Sequence, residues 1–461
     1  MMLDALLLSR LQFAWVVAMH ILLPAFTVGL AAYIAVLEGT YYFTRRPVFL
    51  RLSKFWLPIF AVSFGMGVAS GIVMPFQFGT NWSRYTDLTA DVLGPLMAYE
   101  VLMAFFLEAA FLGVLLFGRE RVPPGVHFFA ALMVAAGTLL STFWILSANS
   151  WMQTPAGHAI VEGRFVPRDW LQIVFNPSFP YRLVHTTMAF FITTAFVVIG
   201  VAAWRLRRGR HEEESLVMQK MGLGLLAVLV PLQVVVGDLH GLNTFEHQPA
   251  KLAAMEGNWE TQARMPILLF AWPDEAAERN HLEIGVPLLG SLILGHDVDA
   301  VIPGLKEWEP QDRPPVAITF FAFRLMVGIG LAMLGLTLAG LVLWRRGRLA
   351  QARRFQWLCI PAASLGFIAV LAGWVTTEVG RQPWVVYGLL RTRDAVTPSL
   401  TTGDVAASLA VYVVAYVVIF GAGIVFMGRL VRRGFVAAPE PEPEAPAPRA
   451  ARPLSGATRT N

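Results

Sequence analysis

Two histidines lie inside apolar runs, His20 in AWVVAMHILLP and His185 in YRLVHTTMAFFIT. A titratable ring is costly there unless it binds something or is hydrogen-bonded. Carboxylates occur in similar settings: Glu100 and Glu108 in AYEVLMAFFLEAAF, Glu378 in TEVGRQPW, and Glu38 at the end of the first apolar run. Arg324 and Met326 stand two residues apart in FFAFRLMVGIG, so their side chains leave a helix on roughly opposite sides. Histidine, methionine and carboxylate together form a ligand set that heme iron uses. His with Met suits a six-coordinate electron-transfer center, and a lone His or carboxylate suits a center with an open position. Each residue alone also has a plainer reading. A histidine in a span can be an interhelical hydrogen-bonding group, a methionine can fill a core gap, and an arginine near a helix end can reach the headgroups. Glu100 and Glu108 fall about 80° apart on an ideal helix and can face one interior path. The same carboxylates and histidines also suit a proton relay. Glu38, beside a basic loop, reads as interfacial and receives no role.

The surroundings of these residues dictate the architecture. The 461 residues are 56% hydrophobic and 15% charged, with 14 Trp and 32 Phe, too apolar for a soluble chain of this length. The expectation is an all-α integral membrane protein of about nine transmembrane helices, near residues 13–37, 55–78, 95–117, 126–149, 184–204, 219–237, 318–344, 357–379 and 405–428. Each can cross about 30 Å of hydrocarbon. Basic clusters follow the first, fifth and seventh runs: Arg45, Arg46, Arg51 and Lys54; Arg205, Arg207, Arg208 and Arg210; Arg345, Arg346, Arg348, Arg353 and Arg354. By the positive-inside rule these loops are cytoplasmic, which puts the N-terminus outside and the C-terminus in the cytoplasm. Topology thus accounts for the net charge of +5, and no nucleic-acid partner is expected. MMLDALLLSR has an acid where a signal peptide needs cations and reads as the lead-in to the first span. The single cysteine, Cys359, excludes a disulfide framework, a thiolate metal cluster and covalent c-type heme attachment.

The chain divides into residues 1–237 with helices one to six, an outer loop over 238–317, helices seven to nine over 318–434, and a Pro/Ala-rich disordered cytoplasmic tail over 435–461. The loop is longer than a connector needs and is expected to be folded and functional. In this orientation His20, Glu100, His185 and Met326 lie shortly after an outer entry, and Glu378 just before an outer exit. At about 1.5 Å per residue all fall within about 15 Å of the outer surface, in one layer beneath that loop.

Six segments resemble one family in order along most of the chain: SRLQFAWVVAMHILLPAFTVG, YEVLMAFFLEAAFLG, SFPYRLVHTTMAFF, QPAKLAAMEGNWET, FRLMVGIG and TEVGRQPW. They look like subunit I of cytochrome bd-type quinol oxidases. The resemblance implies a complex of the bacterial cytoplasmic (inner) membrane that oxidises ubiquinol or menaquinol at the periplasmic side. Dioxygen would be reduced to water, with a proton gradient generated without a dedicated pump. It implies a low-spin heme b, a high-spin heme b and a heme d, or a third heme b in its place. A second oxidase subunit is the implied partner, with a small single-span accessory subunit as a further candidate.

By position, His185 and Met326 resemble the ligands of the low-spin heme, with Arg324 beside its propionates. His20 and Glu378 resemble the ligands of the oxygen-reducing pair, and which heme each holds stays open. Glu100 and Glu108 match the family's proton-route carboxylates. Lys251 and Glu256 in KLAAMEGNWE match its quinol site, so that the outer loop would be the quinol-binding loop. Arg381 and Trp384 match the GRQPW signature, with Trp374 a candidate aromatic neighbour of the hemes. The loop GDLHGLNTFEHQPAK, with His240 and His247, is similar to the short-loop, cyanide-insensitive branch. Two other readings compete. One is a heme-free proton-coupled transporter using the same Glu and His residues. The other is a quinol-linked b-type cytochrome with a non-oxygen acceptor, which leaves His20 and Glu378 without a task.

Overall fold

The long apolar runs become helices that cross the molecule from end to end, and proline decides where the first one breaks. The computed structural model describes residues 4–209 and 212–435. The first run is two helices, α1 (Ala5–Ile21) and α2 (Pro24–Thr44). Pro24 has no N–H to give to the His20 carbonyl, which accepts from Leu23 N at 3.0 Å. His20 therefore stands in the last turn before a break.

The chain continues with α3 (Pro47–Thr80) and α4 (Ser83–Tyr99), which passes through a π-helical segment (Glu100–Phe105) into α5 (Phe106–Phe117). Next come α6 (Pro124–Gln153), the antiparallel hairpin β1 (His158–Val161) and β2 (Arg164–Pro167), and the short α7 (Trp170–Val174). They lead to α8 (Phe179–Arg207) and α9 (Glu212–His247). A folded extramembrane segment holds α10 (Pro249–Glu256), the hairpin β3 (Ile267–Asp274) with β4 (Arg279–Val286), and α11 (Leu289–Gly295). The last part comprises α12 (Val316–Arg345), α13 (Arg353–Ala362), α14 (Leu365–Val379), the small ribbon β5 (Trp384–Val386) with β6 (Leu390–Arg391), and α15 (Thr402–Arg433). Among the described residues nine helical stretches are long and apolar enough to cross a membrane, matching the expected number.

One expectation meets a different local structure. Residues 238–247, assigned to the loop, prolong α9 by nearly three turns, because after Pro231, which the helix accommodates, no proline occurs until Pro249 opens α10. The tail expected over 435–461 lies, beyond Phe435, outside the described residues. Close approach of helices depends on glycine: a Cβ on Gly366 of α14 would lie 2.5 Å from Thr193 Oγ1 of α8.

Glu38, expected at the interface, is buried. It forms an ion pair with Arg119 and accepts from Ser53, and His127 Nδ1 lies 3.2 Å from its other oxygen. His127 Nε2 is 3.1 Å from the Leu115 carbonyl, which can only accept, so that nitrogen carries a proton. These contacts tie α2, α3, the α5–α6 turn and α6 together at the end where Arg45 and Arg46 lie. Glu38→Ala strands Arg119 and His127 without their acceptor and should cost about 3–5 kcal/mol. Thermal unfolding of the purified protein measures this, and an unchanged midpoint would show that the network carries no stability.

Candidate functional site

Three candidate ligands each face a glycine on a neighbouring helix. A Cβ on Gly71 of α3 would sit 3.2 Å from His20 Cε1, one on Gly237 of α9 3.4 Å from His185 Cε1, and one on Gly373 of α14 2.8 Å from the Met326 sulfur. A Cβ would force the Met326 sulfur to move, would crowd His20, and would make an ordinary contact with His185. His20 Nδ1 is fixed by Ser70 Oγ at 2.8 Å. His185 Nδ1 is buried with no partner, and its ring centroid lies 5.6 Å from that of His240, one turn beyond Gly237 on α9.

Glu378 closes α14 at the same end of the bundle. It accepts from Asn149 Nδ2 at 2.9 Å and from Gln153 Nε2 at 3.4 Å, and it pairs with Arg381 one turn on. Arg381 Nη1 also donates to the Val385 carbonyl at 2.6 Å, fixing the turn into β5. Lys251 reaches the same cluster from α10: its Nζ donates to Gln153 Oε1 at 2.6 Å and to Gln248. Burial pushes the Lys251 pKa well below the usual lysine range, the charges of Arg182 and Arg381 push the same way, and Glu378 opposes them. Arg182, one turn before His185, is buried, and its Nε, like that of Arg381, has no partner.

Glu100 and Glu108 share one stripe of α6. Ser141 Oγ donates to Glu100 at 2.7 Å, and the Glu108 side chain packs on Gly137, four residues before Ser141. The π-helical segment between the carboxylates makes the ideal-helix angle inapplicable, and it lets both meet the same partner helix. Glu256, also buried, pairs with Arg324 at 2.6 Å, and Arg324 Nε donates to the Leu268 carbonyl at 2.5 Å. Lys251 and Glu256, five residues apart on α10, point about 140° away from each other. One therefore faces Glu378 and the other faces Arg324. Trp374 is half-buried one turn before Glu378, and Trp384 lies under the Arg391 guanidinium, 4.5 Å from its ring center.

The structure thus joins Glu378 with Arg381, Arg324 with Glu256, and Lys251 with Glu378 through Gln153. It keeps His20 on the separate α1–α3 pair and splits Lys251 from Glu256. Sequence reasoning passed over Arg182 and Gln153, and used His240 only for the likeness of its loop. The signals were present: an arginine one turn before a span histidine, and a histidine three residues after a glycine in a helix that continues past its apolar part.

These donors suit heme. Among the described residues no three His, Cys, Asp or Glu side chains converge to hold a bare metal ion. A macrocycle brings its own equatorial nitrogens and needs only one or two protein ligands, which is how these side chains are dispersed. The unpaired nitrogens would suit such a group, with the His185 ring able to bind iron and Arg182 and Arg381 able to donate to acidic groups of the cofactor.

Comparison with known proteins agrees. Residues 8–435 match the family model "Cytochrome bd terminal oxidase subunit I". The chain is 34% identical to cytochrome bd-II ubiquinol oxidase subunit 1 of Escherichia coli, covering 94% of this chain and 97% of that one. It is 35% identical to cytochrome bd ubiquinol oxidase subunit 1 of Bacillus subtilis, covering 92% of each. A solved bd oxidase from Geobacillus thermodenitrificans superposes with a TM-score of 0.86 at 28% identity, over 94% of this chain and 99% of that chain.

The Lys251–Gln153 contact can be isolated. Gln153→Leu removes an acceptor from a buried donor and should cost about 1–3 kcal/mol, whereas adding Lys251→Met should recover part of that loss because neither partner is then stranded. Additive losses in thermal unfolding would show that the two residues are not coupled.

Proposed function

The chain belongs to the cytochrome bd terminal oxidase subunit I family, and from that membership we propose how its residues divide the work. As a member it is a subunit of a multi-pass membrane quinol:oxygen oxidoreductase that takes heme cofactors, which displaces the transporter and non-oxygen-acceptor readings. One observation carries the finer reading: candidate ligands on different helices, three of the four facing a glycine, with unpaired arginine nitrogens near His185 and Glu378. His185 and Met326 would hold a low-spin heme b. His20 and Glu378 would hold the other two, a high-spin heme b and either heme d or a third heme b. Bound heme supplies the one-electron redox chemistry and an iron that can take dioxygen.

The chain's own groups prepare that chemistry. The Arg324 pair orients the Glu256 side chain, which would accept a hydroxyl proton from a quinol docked beside β3. Lys251 holds Gln153 in place, and Gln153 in turn donates to Glu378, so the quinol loop and the Glu378 cluster are mechanically linked. Arg182 and Arg381 offer buried donors to acidic groups of the cofactors. Glu108, then Glu100 with Ser141 as its donor, forms the proton route from the arginine-rich end of the bundle. With that end cytoplasmic, the N-terminus and the quinol loop face the periplasm, and turnover moves charge across a bacterial inner membrane without a pump. A second oxidase subunit, with a small single-span one as a further candidate, would complete the complex, and either ubiquinol or menaquinol would suit the loop.

The reading is tested by reduced-minus-oxidised spectra of the purified complex with and without carbon monoxide, followed by heme extraction. A red chlorin band that responds to carbon monoxide indicates heme d. Protoheme alone, still responsive, indicates three b hemes, and a complex without heme overturns the proposal. Gly373→Ala should displace the Met326 sulfur and weaken the low-spin band while the carbon monoxide response persists. A low-spin spectrum identical to that of the unaltered protein would remove Met326 as a ligand. Glu108→Gln, with all hemes retained, should lower oxygen consumption about a hundredfold. Consumption at the unaltered rate would exclude this route.

A further inference from the structure

The extramembrane hairpin β3–β4 exposes a row of large apolar side chains. Leu282 is 77% exposed, Ile284 61%, Leu269 60% and Trp272 58%. On a segment bathed in water such a continuous patch is unusual and marks an interaction surface. The hairpin is fastened to α12: Leu268 and Ala271 are buried against Phe320, and the partly exposed rings of Phe270 and Trp272 lie 6.0 and 5.8 Å from that of Phe321.

Two hydrogen bonds fix the depth of the hairpin along α12. At its tip, the Glu275 carboxylate accepts from Val316 N at 2.8 Å, level with the first residue of the helix. At its base, the Leu268 carbonyl accepts from Arg324, about 12 Å farther along the helix axis. The 30 residues of α12 span about 45 Å against about 30 Å of hydrocarbon. Counted back from Arg345, the hydrocarbon boundary falls close to Arg324. The base of the hairpin therefore sits at that boundary, the level where aromatic side chains such as Trp272 settle.

The patch is also continuous with apolar surface on either side of that boundary. Ile318 and Leu325 of α12 are 54% and 51% exposed, and beyond the hairpin base Leu288, Leu292 and Val301 are 44%, 45% and 60% exposed. The charged groups nearby are paired: Glu275 caps α12, Glu278 meets Arg313 at 2.6 Å, Glu283 accepts from Asn280 Nδ2 at 2.9 Å, and beside α11 Arg264 meets Asp299 and His296 meets Asp238.

We propose that the base of β3–β4 is seated in the boundary of the adjacent lipid leaflet, with Leu269 and Ile284 against acyl chains and Leu282, nearer the tip, at the headgroup level. The Arg324–Glu256 pair, bonded to the base of β3, then opens toward lipid and not toward bulk water. An apolar substrate with a polar head would reach it without leaving the bilayer. That consequence rests on the quinol reading, whereas the immersion does not.

Spin labels at Leu269→Cys, Leu282→Cys and Ile284→Cys, each in a Cys359→Ser chain within the whole complex in lipid nanodiscs, report the environment directly. The signal of the complex carrying Cys359→Ser alone is subtracted as background. Collisions with oxygen should exceed those with a water-soluble nickel chelate several-fold at 269 and 284, approach parity at 282, and the ratio should reverse at Ala276→Cys on the tip. Nickel collisions that dominate at all four sites would mean an aqueous face. Shielding from both reagents at 269, 282 and 284 would mean that a protein partner covers the patch. Either result overturns the proposal.

Discussion

A carboxylate withdrawn from water among cations constrains this end of the molecule. Glu378 is held by Arg381, Asn149 and Gln153, while Lys251 reaches it through Gln153. A buried charge must be matched by partners that do not move, so α6, α10, α14 and the turn into β5 are fixed relative to one another by the same few contacts. Arg182 and Arg381 still have unpaired buried nitrogens within this arrangement. The cations outnumber the carboxylate they surround, which is the condition expected where anionic groups of a cofactor are to be accommodated.

Heme sites between helices also need room, and the fold provides it by omission. Gly71, Gly237 and Gly373 each stand opposite a candidate ligand, and the break at Pro24 places His20 at a helix end. In a close-packed interior, space of this kind exists only where side chains are missing. The other glycines with a structural task, such as Gly366 against Thr193, press helices together without leaving space. The same residue type therefore serves packing on α8 and admits side chains at the ligand level. The difference lies only in what the neighbouring helix presents.

The extramembrane segment connects the two kinds of constraint. Its α10 sends Lys251 into the Glu378 cluster and Glu256 to Arg324, and Arg324 in turn anchors β3. A helix of two turns is thus the link between the hairpin proposed to rest in lipid and the buried charges of the bundle. The division of Lys251 from Glu256 follows from their spacing on α10. Their separate partners could not be read from that spacing.

Much of the architecture was legible because its causes are local. Apolar run length determines a membrane-crossing helix, and among the described residues nine such stretches form where the runs occur. The order of motifs also sufficed for the family. Local chemistry carried the Glu378–Arg381 pair too, since residues one turn apart meet wherever the chain is helical. Glu38 was misjudged because its partners Ser53, Arg119 and His127 come from other segments, and burial is a property of the whole bundle. Arg182 and Gln153 went unnoticed, and His240 was not placed beside His185, for the same reason. Each gains its place only when α6, α8, α9 and α10 come together. The sequence by itself determined the helices, their number and the residue types able to bind heme or carry protons, because these depend on hydrophobic length and side-chain chemistry. Only the tertiary structure decided which ligand faces which glycine and which cation answers which carboxylate, because those depend on distances between segments far apart in the chain.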